Sequence, residues 1–210
     1  RRFDTDMEED WILYSPSVMY SVSLLIRLLS QPHDKVLTMN PMYDAFINVI
    51  KENDRELLSH HLIKEEGTFK IDFDVFEKQA QESALLLLCS PHNPTGRIWS
   101  DEEMHRMIQI CKKYQVKIIS DEIHMDIRIK DAKHHPLMKY YDEYKEIFTA
   151  SSSSKTLNTP GLIGSYVIIP DEKIRDEFLG VTRRRDFLNS ASIFGMYATM
   201  IGYTESVSYT

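Results

Sequence analysis

Ala84-Leu85-Leu86-Leu87-Leu88-Cys89 runs directly into Ser90-Pro91-His92-Asn93-Pro94-Thr95-Gly96. The first six residues carry no charge and are apolar on both faces of an extended chain. That is the pattern of a central strand in a parallel sheet, where helices cover both sides. The residues after it are turn formers: two prolines, an asparagine and a glycine. The stretch therefore reads as a buried strand that opens into a polar loop at its carboxyl end.

The same unit repeats on both sides. Downstream, Ser100-Asp101-Glu102-Glu103 is a capping box that starts a helix to Tyr114. A strand, Val116 to Ser120, follows and stops at Asp121-Glu122-Ile123-His124. A weak helix is expected near Leu137–Tyr144, and then an apolar run, Glu146 to Ala150, leads into Ser151-Ser152-Ser153-Ser154-Lys155. Gly164 to Ile169 is a further strand. It follows too closely for a helical crossover, so it should run antiparallel to its predecessor. Asp171 starts a helix that reaches Arg183-Arg184-Arg185, and a last helix covers about Ser192 to Glu205.

Upstream, Asp10 to Tyr14 is a short strand that breaks at Ser15-Pro16-Ser17. A helix, apolar around most of its circumference, follows over Val18–Leu29, with Ser15 or Ser17 as its cap. Lys35–Met39 is a strand, Asp44 to Asn53 a helix, and Glu56–Ile63 another strand. Lys64 to Thr68 reads as a turn, and Asp72 caps a helix through Val75, Phe76 and Ala80. Strands alternate with helices, which predicts an α/β fold: a mostly parallel sheet with one antiparallel strand and helices on both faces.

Composition narrows the function. With 210 residues and a net charge of -7, the chain is an ordinary globular length and a poor match for nucleic acid. No apolar run reaches the ~20 residues of a membrane helix, and no secretory signal is visible at Arg1-Arg2-Phe3. Two cysteines, Cys89 and Cys111, make no disulfide framework; both read as buried thiols in a reducing, cytoplasmic compartment. His60-His61 and His134-His135 lack a partner set for a metal, so no metal is expected.

Ligands of open α/β sheets bind beyond the carboxyl ends of the strands. Here those ends supply Ser17-Val18-Met19 at a helix start, Tyr43, Asn93, Asp121 with His124, and Lys155. Each residue has a plainer reading by itself: Asp121 a cap, Asn93 a turn residue, Tyr43 a core aromatic, His124 a surface imidazole, Lys155 a solvated amine in a serine loop. Taken together they match pyridoxal 5'-phosphate. Lys155 suits the aldehyde, and Asp121 suits a ring nitrogen that must stay protonated. Asn93 and His124 suit the phenolate oxygen, and Tyr43 offers a stacking face. The amides of Ser17, Val18 and Met19 suit the phosphate. Ser152 and Ser154 serve as phosphate or loop-fixing donors.

Ser90-Pro91-His92-Asn93-Pro94-Thr95-Gly96-Arg97, Ser120-Asp121-Glu122-Ile123-His124 and Ser154-Lys155-Thr156-Leu157-Asn158 resemble the fold-type-I pyridoxal-phosphate enzymes of the aminotransferase class I/II superfamily. Pro-His-Asn-Pro and Asp-Glu-Ile-His are similar to the cystathionine β-lyase branch, the MalY/PatB-type C–S lyases. So is the apolar Gly161-Leu162-Ile163-Gly164, where many aminotransferases carry a phosphate-binding arginine. Ser17-Val18-Met19-Tyr20 departs from the branch's usual Gly-Val-Val-Pro, and Ser152-Ser153 from its usual small or proline residues.

The resemblance implies a lyase that cleaves cystathionine or a related cysteine thioether to a thiol, pyruvate and ammonia, with Lys155 and Asp121 as catalytic residues. A class I/II aminotransferase is the alternative, and a non-catalytic or inactive fragment of such an enzyme is the second. It further implies that residues 1–210 are the cofactor-binding large domain, lacking the N-terminal arm and the C-terminal small domain. The implied partners are a small amino-acid substrate and, in the full-length enzyme, a second copy in a homodimer.

Overall fold

The computed structural model describes residues 5, 7–127, 132–188 and 190–205. A seven-stranded sheet organises them. Its strands are β1 (Ile12–Ser15), β2 (Lys35–Asn40), β3 (Glu56–His61), β6 (Leu85–Cys89), β7 (Lys117–Asp121), β8 (Ile147–Ser151) and β9 (Ser165–Ile168). They lie in the order β1-β9-β8-β7-β6-β2-β3. The contacts from β3 through β8 are parallel, and β9 is antiparallel to both its neighbours. The sheet is thus mostly parallel with one reversed strand, as expected from the short step after the lysine loop.

All five residues of β6 are buried, because the strand is covered on both faces. Leu85, Leu87 and Cys89 join one core layer with α1 (Val18–Leu29), α2 (Asp44–Lys51) and α5 (Glu172–Leu179). Leu86 and Leu88 point the other way, into a layer shared with α3 (Phe73–Ala80) and α4 (Asp101–Tyr114). The period-two alternation of the strand therefore divides its leucines between two cores. Burying a leucine contributes about 1.5–3 kcal/mol, so this strand is a main source of stability.

Local signals placed the helices. Ser17 caps α1 by accepting from Tyr20 N at 3.1 Å. Asp72 caps α3 through the amides of Asp74 and Val75. Ser100 and Glu103 form the reciprocal capping box of α4. The helix begun at Asp171 passes into a π-helical stretch, Gly180–Arg185, that ends with the three exposed arginines.

Four expectations need correction. The strand drawn through Ile63 ends at His61. Ile63–Glu65 (β4) instead pairs with Thr68–Lys70 (β5) in a hairpin, so the expected turn is only Glu66-Gly67, both at positive φ. That hairpin satisfies its backbone groups outside the main sheet. The segment expected as a helix near Leu137–Tyr144 is a single 3-10 turn, Leu137–Tyr140, whose first amide is taken by the Glu122 carboxylate. The first strand starts at Ile12, after a 3-10 turn at Glu9–Trp11. Helix α2 stops at Lys51 because Asp54 turns left-handed (φ 59) to enter β3.

The last helix, α6 (Ile193–Glu205), is apolar nearly all round. One side packs on the lysine loop, while Phe194, Tyr197 and Ile201 are exposed. Among the described residues, no helix is long and apolar enough to cross a membrane, and no group of side chains could hold a metal ion.

Candidate functional site

Parallel strands end at one edge of a sheet, and their following loops gather there. The loops after β1, β2, β6, β7 and β8 meet in a cavity of about 330 Å³. Its lining includes Ser17, Val18, Met19, Tyr43, Asn93, Asp121, His124, Ser152, Ser154 and Lys155. Every residue singled out from the sequence is therefore brought to one place, although they span positions 17 to 155.

The floor is buried and acidic. Asp121 ends β7 and is buried, and its Oδ1 accepts from Ile123 N at 3.0 Å. Among the described residues, no donor meets Oδ2. Burial pushes its pKa up to about 7, and the adjacent Glu122 adds to this; the Ile123 hydrogen bond and the Lys155 charge oppose it. The carboxyl is thus poised to become fully charged when a cation lies against it.

The walls carry the polar groups. His124 is half-buried three residues beyond Asp121, and burial together with the Lys155 charge lowers its pKa, so it is a neutral imidazole. Asn93 follows β6 in the loop that joins it to α4. Tyr43 precedes α2, is 39% exposed, and meets Phe46 edge-on with centroids 5.9 Å apart. Lys155 stands exposed in the turn after β8.

At the far end lies the N-terminus of α1. Ser17 has an ordinary extended backbone (φ -156), so its Cβ brings no strain. Its hydroxyl occupies the Tyr20 amide, which leaves the Val18 and Met19 amides facing the cavity as the unpaired donors of the first turn. Tyr20 Oη donates to Asp186 Oδ2 at 2.5 Å and fixes that turn to the segment after α5.

The serines divide their work. Ser152 Oγ donates to Gly164 O at 2.5 Å and accepts from Ser154 N at 3.1 Å, so its proton holds the loop rather than a ligand. Ser165 Oγ donates to Ser15 O at 2.8 Å and ties β9 to the start of the helix loop. Ser154 has no such side-chain bond among the described residues and lines the cavity.

The sequence reading missed several lining residues: Cys89, Ile123, Pro160, Ile163, Gly164 and Ser165. Cys89 could have been found, since it ends the strand that delivers Asn93. Gly164 and Ser165 could have been found as well, since the antiparallel β8–β9 pairing expected from the short connection returns the start of β9 to the carboxyl end of β8. A smaller cavity of about 180 Å³ adjoins through Asn93 and His124 and is walled by Pro91, Pro94, Ile98 and Ile127.

The chain is 32% identical over 197 residues to the cystathionine beta-lyase PatB of Bacillus subtilis, covering 92% of this chain and 51% of that one. It is 34% identical over 207 residues to protein MalY of Escherichia coli, covering 98% and 53%. The crystal structure of a PLP-bound C-S lyase from Staphylococcus hominis superposes with a TM-score of 0.91 at 29% identity, over 97% of this chain and 51% of that one. The chain spans about half the length of the curated relatives it matches. The family model for aminotransferase class I and II matches residues 4–202, from before β1 into α6, so the five strand-end loops that build the cavity all lie within it, and the chain belongs to that family.

Proposed function

We propose that this chain is the cofactor-binding domain of a pyridoxal-phosphate-dependent C–S β-lyase. One observation carries the reading. An amine, a buried carboxylate with a free oxygen, an amide, a neutral imidazole, a ring face and a helix N-terminus line a single cavity. That donor set fits pyridoxal phosphate group by group.

Bound there, the cofactor supplies an electron sink for the pair left when a substrate's α-proton is removed. The chain's residues do the rest. Lys155 would anchor the cofactor through its amine and, once the substrate's amine takes that place, would carry the α-proton as general base. Asp121 keeps the ring nitrogen protonated, which its buried position favours once a cation replaces water. Asn93 and His124 donate to the phenolate oxygen. Tyr43 stacks on the ring, and the Val18 and Met19 amides take the phosphate with Ser154.

The balanced reaction is a cysteine thioether plus water giving a thiol, pyruvate and ammonia. The Cβ–S bond breaks, the pair leaves with sulfur, and the thiolate takes a proton. The printed names of PatB and of the Staphylococcus hominis enzyme support the lyase. An aminotransferase uses the same residues, and the family description keeps it as the second reading. The reading includes a homodimer, a further domain outside residues 1–210, and a reducing cytoplasm that suits two free buried cysteines.

The test gives the whole protein cystathionine and, separately, an amino acid with a keto acid. Pyruvate and ammonia released in equal amounts support the lyase; amino-group exchange without elimination replaces it with the transferase. Lys155→Ala should abolish either activity, and retained turnover would refute both.

A further inference from the structure

Helix α6 touches the lysine loop along one face. Gly195, Thr199, Gly202 and Tyr203 are spaced i, i+4, i+7 and i+8, which is one side of a helix. A Cβ on Gly195 would overlap the carbonyl oxygens of Leu162 and Ile163. One on Gly202 would overlap the Leu157 side chain. Between them, Thr199 Oγ1 and Ser153 Oγ share a hydrogen bond of 3.0 Å, and Ser153 is buried. Tyr203 and Tyr166 hydroxyls meet at 3.4 Å beyond.

These contacts bracket Lys155. Ser153 and Leu157 lie two residues to either side of it, and Leu157 N bonds back to Ser153 O at 2.9 Å to close the turn. Ile163 also lines the cavity and has φ 46, a conformation that strains a β-branched residue. It persists because its carbonyl is trapped against Gly195. Nothing but glycine allows the helix that close.

We propose that α6 sets the position of the Lys155 amine: Gly195, Thr199 and Gly202 are positioning residues that hold the turn from behind. The inference rests on Lys155 being the cofactor's anchor. Thr199 never reaches the cavity, so its effect passes through Ser153 alone.

The experiment measures how the whole protein attaches pyridoxal phosphate. The adduct is fixed with borohydride and mapped by peptide mass, and the pH midpoint of its visible absorbance is followed. Thr199→Val keeps the shape and removes the hydroxyl. It should slow attachment roughly 2- to 10-fold, the range a single lost hydrogen bond gives, and move the midpoint, both read at a temperature where circular dichroism shows the variant folded. Thr199→Ser should restore both. Gly195→Ala should lose more, and adding Ile163→Gly should recover part, because glycine follows the displaced backbone without strain. Wild-type rate and midpoint in a folded Thr199→Val would overturn the inference. A wild-type protein that labels elsewhere than Lys155 would overturn the anchor itself, and the positioning role with it.

Discussion

Cys89 and Asp121 stand opposite each other at the last paired position of β6 and β7. The ladder continues one step beyond, where Ser90 N donates to Asp121 O at 2.9 Å. Both strands therefore release their chains at the same level, and Asn93 and His124 emerge side by side. The pairing also puts a thiol and a carboxyl on one buried wall. Burial raises the pKa of the thiol, and the Asp121 charge raises it further.

Asp121 should make the cofactor-free protein less stable as pH rises. The folded state keeps its proton up to about pH 7, whereas an unfolded aspartate releases it near ~3.9. Between those values the folded state binds more protons, so stability is greatest below the window and falls through it. Asp121→Asn removes the titration. Its unfolding free energy should decline less than wild type from pH 4 to 8, a difference on the order of a few kcal/mol by the upper end. Parallel calorimetric curves would contradict the burial argument.

Both thiols should resist alkylation. Cys89 and Cys111 are buried, and burial raises both pKa values, so little thiolate exists near pH 8. Mass spectrometry after iodoacetamide should find no label on the folded protein and two labels in denaturant. Rapid native labelling of Cys89 would mean that the wall beside Asp121 is wet.

Trp99 should be a costly position even for a conservative change. It is fully buried, and its Nε1 donates to Cys89 O at 3.0 Å, holding the end of β6. Trp99→Phe leaves that buried carbonyl without its donor and should cost about 1–3 kcal/mol, with Trp99→Ala nearer ~3–5 kcal/mol. Urea midpoints measure both, and an unchanged midpoint for the phenylalanine variant would show that water replaces the indole.

Glu122 should matter for folding rather than for ligand contact. Its side chain is buried and accepts from Leu137 N at 2.7 Å and Ser120 Oγ at 3.1 Å, with His134 Nε2 at 3.3 Å. Glu122→Ala strands a buried amide and a hydroxyl, at about 1–3 kcal/mol each. Glu122→Gln keeps an acceptor oxygen and should lose less. Equal losses in the two variants, read from denaturant unfolding, would show that charge rather than hydrogen bonding holds the turn at Leu137.

The amino-acid pattern by itself determined the alternation of strands and helices, the reversed strand after the lysine, the Asp72 and Ser100 caps, and ten residues that come to line one cavity. These are legible because caps, turn residues and apolar runs act over a few positions. The tertiary structure alone decided the β4–β5 hairpin and the commitment of the Ser152 proton to Gly164. It alone also set α6 against Ser153 and Ile163. Each of these depends on a partner chosen by packing across the fold, and the local preferences of Gly195, Ser152 or Ile63 carry no trace of which partner that is.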